Sequence, residues 1–217
     1  MISISCQGIL FDLDGTLVDS WKCVEYAWQS WCFEHGLPYN DLVERFNGTR
    51  AIDIVKTLKP ELDPEQELAK LNNLELSQAK NISLIPGALE IIKLIPKNKW
   101  GIVTSGTQEV AHHKLNYAKI DLPNVLITAE KITQGKPHPQ GYLKAASMLN
   151  IDPKQCLVFE DAPQGLKAAR TAGMKVIALS TTFPASALSE ADACIDNYNC
   201  INISLDNSQI DISITRA

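Results

Sequence analysis

The stretch Phe11-Asp-Leu-Asp-Gly-Thr16 decides the fold, because a short apolar run that begins at Cys6 leads directly into it. Such a run followed by a polar loop predicts a buried strand that ends at two carboxylates. Residues 100–106 and 156–161 repeat this form, since each is an apolar run rich in β-branched residues that ends in polar side chains. We therefore predict three strands whose ends carry the reactive groups.

Strands and helices alternate along most of the chain. Further strands are predicted at residues 125–128 and 175–179, and helical patterns at residues 87–94, 140–149 and 165–172. This alternation predicts an α/β fold in which helices cover both faces of a parallel sheet. Reactive side chains of such a sheet gather at the carboxyl ends of its strands. We therefore expect one crevice there, formed by Asp12, Thr104, Glu160 and Asp161.

Residues 20–85 differ in pattern from the rest of the chain. Apolar residues recur there at spacings of three to four, as on an amphipathic helix, and Asp63-Pro64 is a helix-start signal for the pattern over residues 61–78. We call residues 20–85 the helical segment and predict that it is a cap over the crevice. Residues 1–19 and 86–217 would form the core domain. Four aromatic residues are predicted to fill the core of the cap: Trp21, Trp28, Trp31 and Phe33.

The C-terminal residues alternate between apolar and polar. Isoleucine or leucine occupies every second position in residues 201–205 and 210–214, and residues 206–209 lie between these two runs. Alternation of this kind predicts a β-hairpin, which we place at a sheet edge.

Bulk composition excludes several classes of protein. The 217 residues carry a net charge of -5, with 45% hydrophobic and 21% charged residues, as in ordinary globular proteins. We therefore expect neither nucleic acid nor a membrane as partner.

The sequence has no signal-peptide pattern and no apolar run long enough to span a bilayer, which favours the cytoplasm. Its six cysteines form no metal-ligand spacing and are expected to be free thiols, and the chain is expected to be a monomer.

Two carboxylates at Asp12 and Asp14 fit a solvated turn as well as a catalytic site. The catalytic interpretation requires partners, because a nucleophilic Asp12 and a phosphate repel each other. A divalent cation bound by oxygen ligands, with Glu160 and Asp161 among them, would offset that repulsion. Lys136, in the constrained sequence Gly-Lys-Pro-His-Pro, would neutralise charge on the phosphoryl oxygens.

The remaining groups complete a phosphoryl-transfer site. The hydroxyl of Thr104 and the exposed N–H groups of Ser105 and Gly106, at a predicted helix start, would bind a phosphoryl oxygen. Asp14 would protonate the leaving oxygen and later activate water.

In order and spacing, these residues resemble the four motifs of the haloacid dehalogenase (HAD) superfamily. The resemblance covers nearly the whole chain and implies a Rossmann-like, doubly wound core, an inserted helical cap and Mg²⁺. It also implies the catalytic roles given above for Asp12, Asp14, Thr104 and Lys136. The predicted metal ligands are Asp12, Asp14, Asp161 and Glu160. In relatives, the residue at the position of Glu160 also acts without binding the metal directly, by contacting its ligands.

Within the superfamily, three positions separate the candidate activities. Dehalogenases and phosphonate hydrolases lack an aspartate at the position of Asp14, so its presence here favours phosphate esters as substrates. Val24 stands where β-phosphoglucomutases, which this chain also resembles, usually carry a histidine. Asn47 stands where bacterial sugar phosphatases and yeast 2-deoxyglucose-6-phosphate phosphatases, the most similar groups, often have histidine.

Substrate contacts in the helical segment are predicted for Arg50 and Asp19. Arg50 also fits an exposed arginine at a helix start, Asp19 a brace of the hinge, and Ser20 a helix cap. Three histidines are predicted at the surface: His112, His113 and His138. The leading hypothesis is a Mg²⁺-dependent phosphatase of small phosphorylated sugars or polyols. A phosphosugar mutase and a non-catalytic sugar-phosphate sensor are the alternatives.

Overall fold

The computed structural model describes residues 2–43, 46–206 and 209–215. Its strands are β1 (Ile2–Cys6), β2 (Gly8–Phe11), β3 (Val18–Asp19), β4 (Ser83–Leu84), β5 (Trp100–Val103), β6 (Val125–Ile127), β7 (Cys156–Glu160), β8 (Lys175–Leu179), β9 (Ala193–Ile195), β10 (Ile201–Asp206) and β11 (Gln209–Ile214). Its α-helices are α1 (Trp21–Glu34), α2 (Tyr39–Leu42), α3 (Ala51–Leu58), α4 (Pro64–Leu76), α5 (Ala88–Leu94), α6 (Gln108–Tyr117), α7 (Gln140–Leu149) and α8 (Pro163–Thr171).

Six parallel strands in the order β6-β5-β2-β7-β8-β9 form the central sheet. β2 lies in the middle, with Phe11 opposite Ile102 of β5 and Phe159 of β7. Because side chains alternate between the faces of a strand, Ile9 and Phe11 enter one buried cluster and Leu10 enters the other. Helices α7 and α8 contribute to the cluster that holds Leu10, and α5 and α6 contribute to the opposite cluster. The predicted α/β fold is confirmed.

The predicted strand from Cys6 to Phe11 is in fact two strands in two sheets. β1 pairs with β11, which also pairs with β10, in a three-stranded antiparallel sheet. β2 is buried along its whole length, whereas only part of β1 is buried, as expected for a strand with one solvated face. The predicted hairpin forms, but its partner is β1 and not an edge of the parallel sheet. Asn207 and Ser208, predicted to lie in its turn, are outside the described residues.

The helical segment packs around a core of its own. Trp28, Trp31 and Phe46 belong to a buried cluster separate from the two clusters of the sheet. The indole nitrogen of Trp31 donates a hydrogen bond to Glu67 Oε2 at 2.8 Å and so joins α1 to α4. The prediction for Phe33 is wrong, since this side chain is 89% exposed. The prediction for Trp21 is also wrong, since it is only half-buried and lies outside this cluster.

The chain enters and leaves the helical segment at one place. β3 and β4 pair as a short antiparallel ribbon, with Val18 opposite Leu84 and Asp19 opposite Ser83. Helix α4 begins at the predicted signal, where the Asp63 carboxylate accepts hydrogen bonds from Glu65 N and Gln66 N. The division into a core and a cap domain remains a prediction.

Candidate active site

The strand order brings three chain segments distant in sequence to one edge of the sheet. Asp12 follows β2, Thr104 follows the neighbouring β5, and Glu160 ends β7 on the other side. Carboxylate oxygens of Asp12, Glu160 and Asp161 all lie within 4.8 Å of one another. The crevice expected at the carboxyl ends of the strands is therefore present.

Lys136 joins two of these carboxylates. Its Nζ donates hydrogen bonds to Asp12 Oδ1, at 2.5 Å, and to Glu160 Oε1. The Tyr142 hydroxyl donates to the same Glu160 oxygen at 3.0 Å, while Glu160 Oε2 accepts from the main-chain N–H groups of Asp161 and Ala162. Both Glu160 oxygens are thus engaged by protein donors, so this carboxylate orients Lys136 and the loop after β7.

Gly165 allows Glu160 to occupy this position. A Cβ atom added at Gly165 would overlap the Glu160 carboxylate, which lies against the first turn of α8. Only glycine leaves room for such a close approach. This close contact between helix and carboxylate places Lys136, and through it Asp12.

The three carboxylates carry more negative charge than Lys136 can balance. Burial raises the pKa of Asp12 to about 8 against the lowering effect of Lys136, and the charges of Glu160 and Asp14 add to the rise. Burial also raises the pKa of Asp161 well above its usual range, and the charges of Glu160 and Asp12 add to this. A cluster of oxygen donors with unbalanced negative charge fits a hard divalent cation. The residues present are therefore suited to the metal that the sequence predicts.

Asp14 lies beside this cluster but, among the described residues, its side chain is not one of the three clustered carboxylates. Its Oδ1 accepts hydrogen bonds from Ser20 Oγ and from Lys114 Nζ. The prediction that the Ser20 side chain caps α1 is therefore wrong. The hydroxyl instead donates to Asp14, and a hydrogen bond to a charged acceptor is stronger than one between neutral groups.

Lys114 is a site residue that the motif reasoning missed. It lies on α6 and is only 3% exposed, and it also forms an ion pair with Glu75 of α4 in the helical segment. Burial alone would lower the pKa of this amino group, but Asp14 and Glu75 outweigh that effect and raise the pKa above its usual value. The signal that could have found it is its position on the apolar face of α6, four residues after Val110 and next to Leu115.

Thr104 lies at the end of β5 with its side chain partly engaged. Its Oγ1 accepts a hydrogen bond from Gly106 N at 3.0 Å, so the hydroxyl hydrogen is left to donate. Ser105 Oγ donates to Gly48 O of the helical segment at 2.8 Å. Helix α6 begins at Gln108, capped by Thr107, so the predicted helix start at Ser105-Gly106 is wrong.

Arg50 is buried, contrary to the alternative of an exposed helix-start arginine. Its guanidinium donates to both carboxylate oxygens of Asp53 and, at 2.8 and 2.9 Å, to the carbonyl oxygens of Ile132 and Thr133. The latter two belong to the core loop that leads to Lys136. Arg50 therefore connects the helical segment to the core, and its predicted contact with substrate remains a prediction.

The other side-chain predictions have mixed outcomes. The exposed Asp19 accepts a hydrogen bond from Trp21 N at 3.2 Å and borders the cavity described below. His112, His113 and His138 are exposed, as predicted. All six cysteines are free thiols, also as predicted. No helix within residues 2–43, 46–206 and 209–215 is long and apolar enough to cross a membrane.

A cavity of about 670 Å³ lies between the sheet edge and the helical segment. Asp12, Asp14 and Asp161 line its core side, and Trp28 and Phe46 line the opposite side. A volume of this size accommodates a small metabolite.

The chain belongs to a known family: residues 9–179 match the family described as Haloacid dehalogenase-like hydrolase. The resemblance inferred from the four motifs is confirmed. Among curated proteins, Hexitol phosphatase A of Escherichia coli (strain K12) is 36% identical over 203 residues, which cover 91% of this chain and 94% of that protein.

Two further comparisons agree. 2-Deoxyglucose-6-phosphate phosphatase 1 of Saccharomyces cerevisiae is 33% identical over 215 residues, covering 89% of this chain and 87% of that protein. The crystal structure of beta-phosphoglucomutase from Clostridium difficile matches with a TM-score of 0.77 at 24% identity, covering 89% of this chain and 92% of that chain. This last likeness shows that the fold is shared.

Proposed function

We propose that this chain is a Mg²⁺-dependent phosphatase that hydrolyses small phosphorylated sugars or polyols through a phosphorylated Asp12. The observation that carries the proposal is the Asp12 carboxylate, bound by Lys136 at 2.5 Å and lining a cavity of about 670 Å³. The names of the two relatives, a hexitol phosphatase and a 2-deoxyglucose-6-phosphate phosphatase, support the substrate class.

Asp12 acts as the nucleophile in this proposal. An oxygen of its carboxylate bonds to phosphorus while the bond from phosphorus to the leaving oxygen breaks. Lys136 neutralises charge on Asp12 and on the phosphoryl group. Mg²⁺, held by Asp12 and Asp161 with Asp14 and Glu160 as further predicted ligands, would supply positive charge that offsets the repulsion between the carboxylate and the phosphate.

The other core residues orient the phosphoryl group and move protons. Thr104 donates its hydroxyl hydrogen to a phosphoryl oxygen, next to the proposed contacts Ser105 and Gly106. Asp14 gives a proton to the leaving alkoxide and then takes one from the water that attacks the aspartyl-phosphate. This second step returns Asp12 and releases inorganic phosphate.

The helical segment acts as a cap domain in the proposal, closing over the substrate and excluding bulk water. Arg50 and Asp19 are its proposed substrate-binding residues. Val24 lines the cavity and has no group that can exchange a proton, which favours hydrolysis over the mutase alternative. A sensor would need neither a nucleophile nor Asp14.

The test is phosphate release by the purified protein with Mg²⁺ from hexitol, hexose and pentose phosphates. We expect turnover by the native chain and its loss in Asp12→Asn. Asp121→Asn is the matched control, because this carboxylate is 84% exposed and pairs only loosely with Lys97. Equal activity of Asp12→Asn and the native chain would contradict the mechanism. Conversion of a hexose 1-phosphate into its 6-phosphate without free phosphate would establish the mutase instead.

A further inference from the structure

Lys114 has no role in the motif-based mechanism, yet it contacts the side chain proposed to carry the proton. Its Nζ reaches Asp14 Oδ1 from α6, and Ser20 Oγ reaches the same oxygen from the start of α1. An ammonium group that is 3% exposed is held in one place by its carboxylate partners. We propose that Lys114 is a positioning residue that orients Asp14 for proton transfer, and that Glu75 extends this dependence to the helical segment.

The proposed orientation of the Asp14 carboxyl group follows from which of its two oxygens accepts the hydrogen bonds. Both donors bind Oδ1, so a proton on Asp14 is carried by the other oxygen, Oδ2. The carboxyl plane is fixed by two donors from different elements, and Oδ2 is then available to the leaving oxygen. In the first step the bond from phosphorus to that oxygen breaks, Asp12 bonds to phosphorus, and the proton passes from Asp14 to the departing alkoxide.

Glu75 connects this arrangement to the helical segment. It lies on α4, eight residues after Glu67, and its Oε1 forms an ion pair with Lys114. Both Glu75 and Lys114 line the cavity, next to Asp14. Because Lys114 is shared between a core carboxylate and a carboxylate of the helical segment, Asp14 is fully oriented only while the segment lies over the crevice. This inference rests on the proposed function, since it assigns Asp14 the role of proton donor.

The leaving group provides the test. An alkoxide needs a proton to depart, whereas p-nitrophenolate is a stable anion and departs without one. The ratio kcat/KM reports the steps up to departure of the leaving group and is insensitive to the later hydrolysis of the aspartyl-phosphate. We therefore compare kcat/KM for a hexitol phosphate and for p-nitrophenyl phosphate, both with Mg²⁺.

In Lys114→Met we expect kcat/KM to fall by about 10²-fold for the hexitol phosphate and by less than roughly threefold for p-nitrophenyl phosphate. Lys114→Arg, which keeps the charge and the donors, should restore part of the loss with the hexitol phosphate. Lys97→Met is the matched control, because Lys97 is 79% exposed on the surface, and it should match the native chain with both substrates. An equal loss with both substrates, or no loss with either, would overturn the proposal.

A second variant guards against misfolding, because Lys114→Met leaves Glu75 without its partner. Lys114→Met/Glu75→Gln removes both charges and should show the same selective loss as Lys114→Met. Glu75→Gln alone should show a smaller loss of the same kind, and Glu90→Gln, at an exposed position on α5, should show none. Additive losses in the double variant would contradict the coupling. A native chain that releases phosphate from neither substrate would instead refute the proposed function.

Discussion

Two buried lysines each contact two carboxylates, and of the two, Lys114 lines the cavity. Lys136 contacts Asp12 and Glu160, and all three belong to the core. Lys114 contacts Asp14 and Glu75, and so joins the core to the helical segment. The first group holds the proposed nucleophile through residues at the sheet edge and the loop before α7. The second holds the proposed proton donor through helices α4 and α6, so the two chemical roles depend on different parts of the fold.

Removing Lys136 should have the largest effect. Lys136→Met leaves Asp12 and Glu160 without their ammonium partner, so the nucleophile and the phosphate repel each other more strongly. We expect phosphate release from a hexitol phosphate to fall by about 10³-fold. Unlike Lys114→Met, this variant should lose activity equally with p-nitrophenyl phosphate. A defect confined to the hexitol phosphate would show that the two lysines do not have separate roles.

Gly165→Ala should damage the Lys136 group without removing any of its charges. The added Cβ would overlap the Glu160 carboxylate, and displacing it by about 1 Å costs roughly 10²-fold in activity. Overpacking should also lower the free energy of unfolding by about 1–3 kcal/mol, measured by urea denaturation.

Gly36→Ala is the control for that variant. Gly36 has a φ of 66° but no atom within 4 Å of an added Cβ, so only backbone strain of about 1 kcal/mol is expected, with full activity. Similar activities of the two alanine variants would contradict the role given to the contact between Gly165 and Glu160.

The effect of Mg²⁺ on thermal stability should also differ between the Lys136 group and the Lys114 group, although this difference is smaller. The carboxylates that contact Lys136 cluster with a third, Asp161, whereas Lys114 contacts two, so Mg²⁺ should stabilise the protein through Asp12 and Asp161. At a Mg²⁺ concentration of 100 Kd we expect Tm to rise by about 5–10 °C. Asp161→Asn should lose most of this rise and Glu75→Gln should keep it, as measured by calorimetry. The reverse pattern would place the cation at the Lys114 group.

The same contrast explains what the sequence could predict. Asp12, Thr104 and Asp161 directly follow strands, and the rule that parallel strands end at one edge brings them together without knowledge of any side-chain packing. Lys136 was predicted from its constrained loop sequence instead. The pairing of Lys114 with Glu75 depends instead on how α4 lies against α6. No rule of spacing relates these two helices, because β4, α5 and β5 lie between them in the sequence.

Local errors have similar causes. The split between β1 and β2 at Gln7 depends on the partner β11, which lies some 200 residues away along the chain. Ser20 fits a helix cap by residue type, but its hydroxyl donates a hydrogen bond to the nearby Asp14 carboxylate instead. Phe33 was predicted to be buried because it is aromatic, yet it is exposed and is not among the buried positions of α1, which are Cys23, Ala27, Trp28, Trp31 and Cys32.

The phosphorylation of Asp12 tests the central claim most directly. The native chain, turning over p-nitrophenyl phosphate with Mg²⁺, would be quenched in acid, digested, and examined by mass spectrometry for phosphorylated peptides. We predict one phosphoryl group, released by hydroxylamine, on the peptide that contains Asp12, and none on that peptide in Asp12→Asn. A phosphoryl group on another residue, or turnover with no phosphorylated peptide at any quench time, would contradict the account.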